Sequence, residues 1–224
     1  MLQEIKITVE QHIWDVCPNF KGAAVYAEFC NTPYCAELWT EIKRSADYCR
    51  QNLTTETIKQ IPSIEATRSV YRQLGKDPSR YRPSNEGLCR RIVRGLPLYQ
   101  IDTLVDLVNV ISIRHGYSIG GFDADKFVGD TLTLGVGKPG EPYEGIGRGL
   151  LNIDCLPVYR DAVGGVGTPT SDNERTKMDV QTTHFLALIN GYSGEKGLQE
   201  AADDMVRMLK AYADAADIEV IDYK

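Results

Sequence analysis

The chain has 224 residues, 42% of them hydrophobic and 25% charged, with a formal net charge of −6. Those proportions describe a soluble globular chain long enough for one large core, and they exclude a disordered or fibrous protein. No stretch approaches the roughly 20 apolar residues that span a bilayer, and the opening MLQEIKITVEQHIWD mixes acids with apolar residues, unlike a secretion signal. A cytoplasmic protein with no membrane partner is therefore expected.

In chain order, Ile5–Val9 alternates weakly and Ala23–Phe29 reads as a strand. Leu38, Trp39, Ile42, Ala46 and Cys49 recur at helical spacing, which predicts an amphipathic helix over Ala36–Arg50. A second helix is expected over Ser63–Leu74, ended by Gly75 in a left-handed conformation. Ser84 is read as the N-cap of a short helix through Arg94, closed by Gly95. Asp102 caps a third helix that carries Leu104, Val105, Leu107, Val108 and Ile111.

The chain's character then changes. From Gly116 to Gly167 glycines separate short alternating runs such as Thr131–Leu134 and Leu150–Ile153, which predict strands and tight turns. His184–Ile189 reads as a buried strand or the start of a helix. Glu195–Tyr212 is an amphipathic helix, and Ile218–Ile221 a last strand. Helices and antiparallel-looking strands in no regular alternation predict an α+β fold, built as a single domain over residues 1–224.

The strongest local signal is Arg68–Arg94, which holds eight Lys/Arg residues against Asp77 and Glu86, a balance of +6 inside a chain at −6. Local field governs capture of an anionic partner, and guanidinium groups interleaved with tyrosines suit RNA phosphates and unstacked bases. Arg72, Arg80, Arg82, Arg90 and Arg91, with Tyr81, are the candidate RNA-contacting residues, and Arg80, Arg82 and Arg90 are expected to face ligand. For any single arginine the competing reading is a structural bridge between helix ends and acidic loops.

Other apparent motifs carry less. Gly135-Val136-Gly137-Lys138-Pro139-Gly140 fits a dinucleotide-binding pattern but is followed by turn and strand instead of the helix that would face a pyrophosphate. Ser171-Asp172-Asn173 lacks the other elements of serine β-lactamases. The three histidines, His12, His115 and His184, form no metal motif, and the six cysteines include no C-x-x-C. No metal or cofactor is expected, and the thiols are read as reduced.

The runs VYRQLGKDPSRYRPSNEGLCRRIVRGLPLYQIDTLVDLVNVISI and GGFDADKFVGD, then Asp161–Gly165 and SDNERTK, resemble the B3/B4 domain of the phenylalanyl-tRNA synthetase beta subunit. The resemblance covers roughly residues 62–189 and is closest to stand-alone proteins built from that domain. It implies a three-layer α+β architecture with a β-sandwich of unusual topology and flanking helices. It also implies an editing pocket for tyrosine esterified to tRNA, here formed by Asn109, Ser112, Gly120, Gly121, Phe122, Gly165, Thr168 and Asp172, with Asp172 able to bind an amino group. Gly120–Asp123 is read as a tight loop, and Asp123 and His115 (the latter in a polar loop) as candidate catalytic groups.

The chain departs from the synthetase pattern in two places. Gly120 stands where that loop has a histidine, and Val166-Gly167-Thr168-Pro169 where it has a glutamate that reads the tyrosine hydroxyl. Three functions remain open on these grounds. The chain is a module binding tRNA, an aminoacyl-tRNA 3′ end or an amino-acid-like small molecule, without DNA specificity. Alternatively it is a free-standing hydrolase of misacylated tRNA or an aminoacyl ester, or it reuses the fold for an unrelated metabolite.

Overall fold

A computed structural model describes residues 5–224. In chain order it contains β1 (Lys6–Val9), α1 (Gln11–Val16), β2 (Lys21–Glu28), α2 (Ala36–Asn52), α3 (Pro62–Leu74), α4 (Ser84–Val93), α5 (Thr103–His115) and β3 (Ile119–Asp123). There follow β4 (Thr131–Val136), β5 (Glu144–Gly145), β6 (Gly149–Leu150), β7 (Pro157–Arg160), β8 (Gly165–Gly167), β9 (His184–Gly191), α6 (Leu198–Tyr212) and β10 (Ala216–Tyr223).

Two four-stranded sheets dominate. One has the order β10-β2-β9-β3, antiparallel throughout; the other has the order β1-β4-β7-β8, in which β1 and β4 run parallel. The period-2 alternation of β9 shows how the layers form. Phe185, Ala187 and Ile189 pack with α2, α5 and α6, in one core with Leu38, Leu107, Ile111, Met205 and Met208. Leu186 and Leu188 point the other way, into a second core with Leu132, Leu134, Tyr159 and Val166 of the other sheet. Helices, sheet and sheet thus make three layers of an α+β fold. No described helix is long and apolar enough to cross a membrane.

Chain termination follows local chemistry. Gly75 ends α3 at φ 93° and Gly116 ends α5 at φ 73°, a region that costs a residue with a Cβ. The Asp102 carboxylate accepts the Val105 N–H at 2.9 Å as the N-cap of α5. Ser84, by contrast, is the first residue of α4, and Pro83 occupies the cap. His184–Gly191 resolves as a strand, paired on both sides. The short helix α1 lacks a sequence signal long enough to show a period.

The glycine pattern near residue 135 is structural. A Cβ on Gly137 would lie 1.9 Å from the Ile153 carbonyl oxygen, so glycine is required by that close backbone approach. Gly137 and the 153–156 turn exchange backbone hydrogen bonds of 2.8 and 3.0 Å, and no helix follows to cradle a phosphate.

Candidate functional site

One stripe of α5, with Val105, Val108, Asn109 and Ser112 at the three-four-seven spacing of a helix face, forms a wall of a cavity of about 500 Å³. Ile119 and Gly121 of β3 form its floor, and the segment from Thr168 to Val180 forms the facing wall. Ile101, Ile146 and Val180 stand at its rim and are 55%, 40% and 48% exposed. Apolar side chains give most of its surface, and Ser84, Asn109, Ser112, Ser171, Lys177 and Asp179 add polar groups, a mixture found in small-ligand sites.

The polar centre of this cavity is Asp172. Its Oδ2 accepts the Gly121 N–H at 3.1 Å. Although the residue as a whole is half-buried, its carboxyl is enclosed by glycine backbone. Cβ atoms on Gly120 and Gly167 would lie 3.4 and 2.9 Å from its Oδ1. Burial pushes the carboxyl up to about 7, and the Gly121 N–H offsets only part of that rise.

The loop that carries Asp172 is held from several sides. Thr168 Oγ1 accepts the N–H groups of Thr170 and Ser171 at 3.2 and 3.1 Å and donates to the Ser171 carbonyl at 3.0 Å. Tyr143 Oη donates to the same carbonyl at 2.7 Å. The Ser84 N–H, at the start of α4, donates to the Pro169 carbonyl at 2.8 Å. Tyr71, fully buried on α3, bonds the Thr170 hydroxyl at 2.9 Å. A site of this build can hold a cationic group without reorganising, or exchange a proton near neutral pH. Among the described residues no group of three or more His, Cys, Asp or Glu side chains is placed to hold a metal.

Of the residues singled out from the sequence, Asn109, Ser112, Gly121, Thr168 and Asp172 line this cavity. Gly120 and Phe122 do not, because Gly120–Phe122 belong to strand β3 instead of a loop and alternate across it. Phe122 is buried in the inter-sheet core, and its ring fills the space beside Gly120, where a Cβ would lie 2.6 Å from Cζ. Gly165 lies under the Tyr143 ring, 2.8 Å from where its Cβ would stand.

Asp123 and His115 are outside the cavity lining. Asp123 ends β3, where its carboxylate accepts the Thr182 hydroxyl at 2.8 Å and pairs with Lys126 at 3.1 Å. His115 is the last residue of α5 rather than part of a polar loop, and its Nε2 lies 3.1 Å from Asp204 of α6.

The arginine-rich segment divides. Arg68 and Arg90 each place a nitrogen 2.8 Å from the fully buried Glu86, and Arg82 Nε stands 3.5 Å from it. Arg90 also donates to the Thr55 carbonyl at 3.1 Å, so it faces inward. Lys76 is buried, donating to the Asn152 and Asp154 carbonyls at 2.9 and 2.7 Å and covering the Tyr81 ring. Arg91 donates to the Pro97 carbonyl and lies over the Tyr99 ring. Arg72, Arg80 and Arg94 are exposed.

Ser84, Ile101, Val105, Val108, Ile119, Ile146 and Met178 also line the cavity and were not singled out. For Val105 and Val108 the helical period through Asn109 and Ser112 was the available signal. For Ile146 and Met178, on loops, sequence spacing held none.

Comparison with known proteins adds three findings. A family model described as "B3/4 domain" matches residues 66–214, more than half of the chain. An N-terminal fragment of the phenylalanyl-tRNA synthetase beta subunit from Pyrococcus horikoshii is similar in structure, with a TM-score of 0.53 and 12% identity. The similarity covers 98% of this chain and 54% of that one, so the chain spans about half the length of the fragment. No curated protein matches the chain.

Proposed function

Because this chain belongs to the B3/4 domain family, we propose that its cavity binds an aminoacyl or amino-acid-like ligand, with the α-ammonium on Asp172 and the side chain among Val105, Val108, Ile119 and Met178. The likeness in fold to part of a tRNA synthetase subunit makes an aminoacyl-tRNA 3′ end the leading form of that ligand. One observation carries the reading: a carboxyl enclosed at the cavity with one backbone donor and, among the described residues, no protein cation paired to it. A buried charge needs a partner, and an entering ammonium is that partner.

The test is calorimetric titration with the methyl esters of phenylalanine and leucine and with their N-acetylated counterparts. The free-amine esters are expected to bind, and both acetylation and Asp172→Asn to abolish binding. Equal binding of acetylated and free esters would remove Asp172 from the site. Failure of every ester, free or acetylated, would leave the fold to serve an unrelated metabolite.

A second reading is supported by the near-neutral position of the Asp172 carboxyl. It matches the needs of a general base. Water adds to the ester carbonyl carbon as its proton passes to Asp172, and that proton then goes to the departing 3′-oxygen. Release of amino acid from aminoacyl-tRNA above the spontaneous rate, lost in Asp172→Asn, supports hydrolysis; retention of intact aminoacyl-tRNA supports binding alone.

A further inference from the structure

Each of the two large sheets leaves one edge open, and the two open edges lie side by side. Among the described residues β10 pairs with β2 alone and β1 with β4 alone. The opposite edges are covered: Phe122 of β3 bridges to Lys177, and Gly167 of β8 to Asp172. Between β1 and β10 lies a seam of about 540 Å³, with Ile5 and Ile7 on one side and Ile221 and Tyr223 on the other. Three lysines, Lys6, Lys21 and Lys224, line it against one carboxylate, Asp222. Of these, Lys21 also pairs with Glu195 at 2.6 Å.

An unpaired strand edge is a template for another strand, most of all where it exposes apolar residues. On β10, Val220 lies opposite Val25 on the helix side and is 40% exposed. Ile221 lies opposite Ala24 on the seam side and is 51% exposed. Asp217, Glu219 and Asp222 guard this edge against most pairings. When a strand pairs antiparallel with its own copy, one residue sits opposite itself at the two-fold axis and its neighbours are opposed in turn. Centring on Glu219 or Asp222 sets like carboxylates opposite each other, which destabilises the pair. Centring on Val220 carries the pairing into the bulge between Ala216 and Glu219. Centring on Ile221 uses the whole regular stretch Glu219–Tyr223. It opposes Ile221 with itself, Asp222 with Val220 and Glu219 with Tyr223, so no like charges meet.

We propose that this edge binds a second copy of the chain, by antiparallel pairing of β10 with β10 centred on Ile221. Two four-stranded sheets then become one sheet of eight strands. Opposed residues lie on the same face of a sheet, so Glu219 of each copy enters beside Tyr223 of the other on the seam side. There Lys6, Lys21 and Lys224 line the seam and supply the opposite charge, while the two Ile221 side chains cover each other. The edge is thus complementary to itself, whereas a basic strand of another protein would meet the same three lysines. In the joined sheet the two β3 strands stand outermost, about 34 Å apart at ordinary strand spacing. The interface is therefore at the far edge of the sheet from the cavity floor.

The test is the mass of the full chain in solution, by sedimentation equilibrium over a range of concentrations. The wild-type chain is expected at twice its own mass when concentrated, dissociating on dilution and more readily in high salt. Ile221→Lys sets two ammonium groups face to face and should be monomeric throughout, with an unchanged circular dichroism spectrum. Glu219→Lys, at an exposed position, serves if Ile221→Lys fails to fold. It should weaken the dimer about tenfold, since the two-fold repeats each lost contact. Tyr48→Lys, on the exposed face of α2, should dimerise as wild type does. Register is read by mild oxidation. Ile221→Cys should form an intermolecular disulfide faster than Val220→Cys, above the background of the native thiols, because two-fold-related cysteines at 221 fall within disulfide reach. A wild-type chain that stays monomeric up to its solubility limit overturns the proposal. So does a dimer as tight in the β10 variants as in wild type, one lost in Tyr48→Lys, or one cross-linked faster through Val220→Cys. A dimer that appears only after residues 1–4 are removed overturns it too, by assigning the edge to those residues instead of a second copy.

Discussion

Replacing Glu86 by glutamine removes the counter-charge of two buried guanidinium groups while keeping the side chain's shape. Glu86 is fully buried, and the Arg68 and Arg90 side chains are 10% and 12% exposed. Glutamine retains one carbonyl acceptor, so one of the two 2.8 Å contacts survives in weaker form and the other meets an amide N–H. Loss of one hydrogen bond to a charged group costs about 1.5–3 kcal/mol, and stranding buried charge brings such losses to about 3–5 kcal/mol. We expect about 3–4 kcal/mol. For a chain of this size that lowers Tm by roughly 10 °C, measurable by circular dichroism and by urea unfolding at neutral pH. Arg82→Ala is the control: its Nε is 3.5 Å from Glu86 and its side chain 37% exposed, so it should cost under about 1 kcal/mol. A Glu86→Gln protein that melts within about 2 °C of wild type would refute the view that the arginine cluster is a scaffold. Loss of RNA binding in an Arg90 variant must accordingly be read against its folded fraction.

Three further outcomes are expected. The Asp172 carboxyl, raised to about 7 in the fold against about 4 in the unfolded chain, binds its proton more tightly when folded. Stability should therefore fall as pH rises from about 4 to about 7; Asp172→Asn, melted at acid and at mildly alkaline pH, should gain Tm at the alkaline end only. Gly167→Ala places a Cβ 2.5 Å from Phe122 Cζ and 2.9 Å from Asp172 Oδ1. It should cost about 1–3 kcal/mol in urea unfolding and weaken ester binding in the titration described above. His115→Ala should leave ester binding and any deacylation unchanged, because His115 serves the α5–α6 contact through Asp204; a large loss of activity at full stability would restore it to the site.

The long elements were readable because periodicity and caps agreed. Asp102 capping α5, Gly75 ending α3 and the amphipathic face of α6 all appear where spacing placed them. Short elements without a full period were not: α1 was missed, and Gly120–Phe122 read as a loop because two glycines usually mark a turn. They sit in a strand because β3 passes close to the Asp172 carboxyl, the Phe122 ring and Met178, and side chains there would collide. The same limit separates the cavity residues. Asn109, Ser112, Thr168 and Asp172 stood out by residue type, the first two within α5, which runs on to His115, and the others on a polar loop. Asp123 and His115 stood out equally, and only three-dimensional placement shows their partners to be Lys126, Thr182 and Asp204. The charge run misled for a related reason. Charges counted along a chain weigh Glu86 as a single charge, whereas in the fold this one carboxylate engages three arginines from the protein interior.

The two departures from the synthetase pattern take on physical meaning at the cavity. Gly120 is not an emptied position. The room a side chain would need there is occupied by the Phe122 ring and the Asp172 carboxyl, so this chain exchanges a side chain at 120 for a closer approach of Asp172 to β3. The stretch from Val166 to Pro169 likewise supplies backbone and a Thr168 hydroxyl already committed to Ser171 and Thr170. Beside the apolar walls, the Asp172 carboxyl and the polar side chains of Asn109 and Ser112 on α5 and of Lys177 and Asp179 opposite remain to discriminate ligands. Against Val105, Val108, Ile119 and Met178 a buried ligand hydroxyl would have no partner, at a cost of about 1–3 kcal/mol, whereas Asn109 on the same stripe of α5 offers a polar group. The carboxyl can be satisfied by a proton or by an ammonium, and near its midpoint the two compete. On the proposed reading, recognition in this cavity would be a choice between solvent protons and ligand amines, made by Asp172 and tuned by how thoroughly the glycines of β3 and β8 bury it.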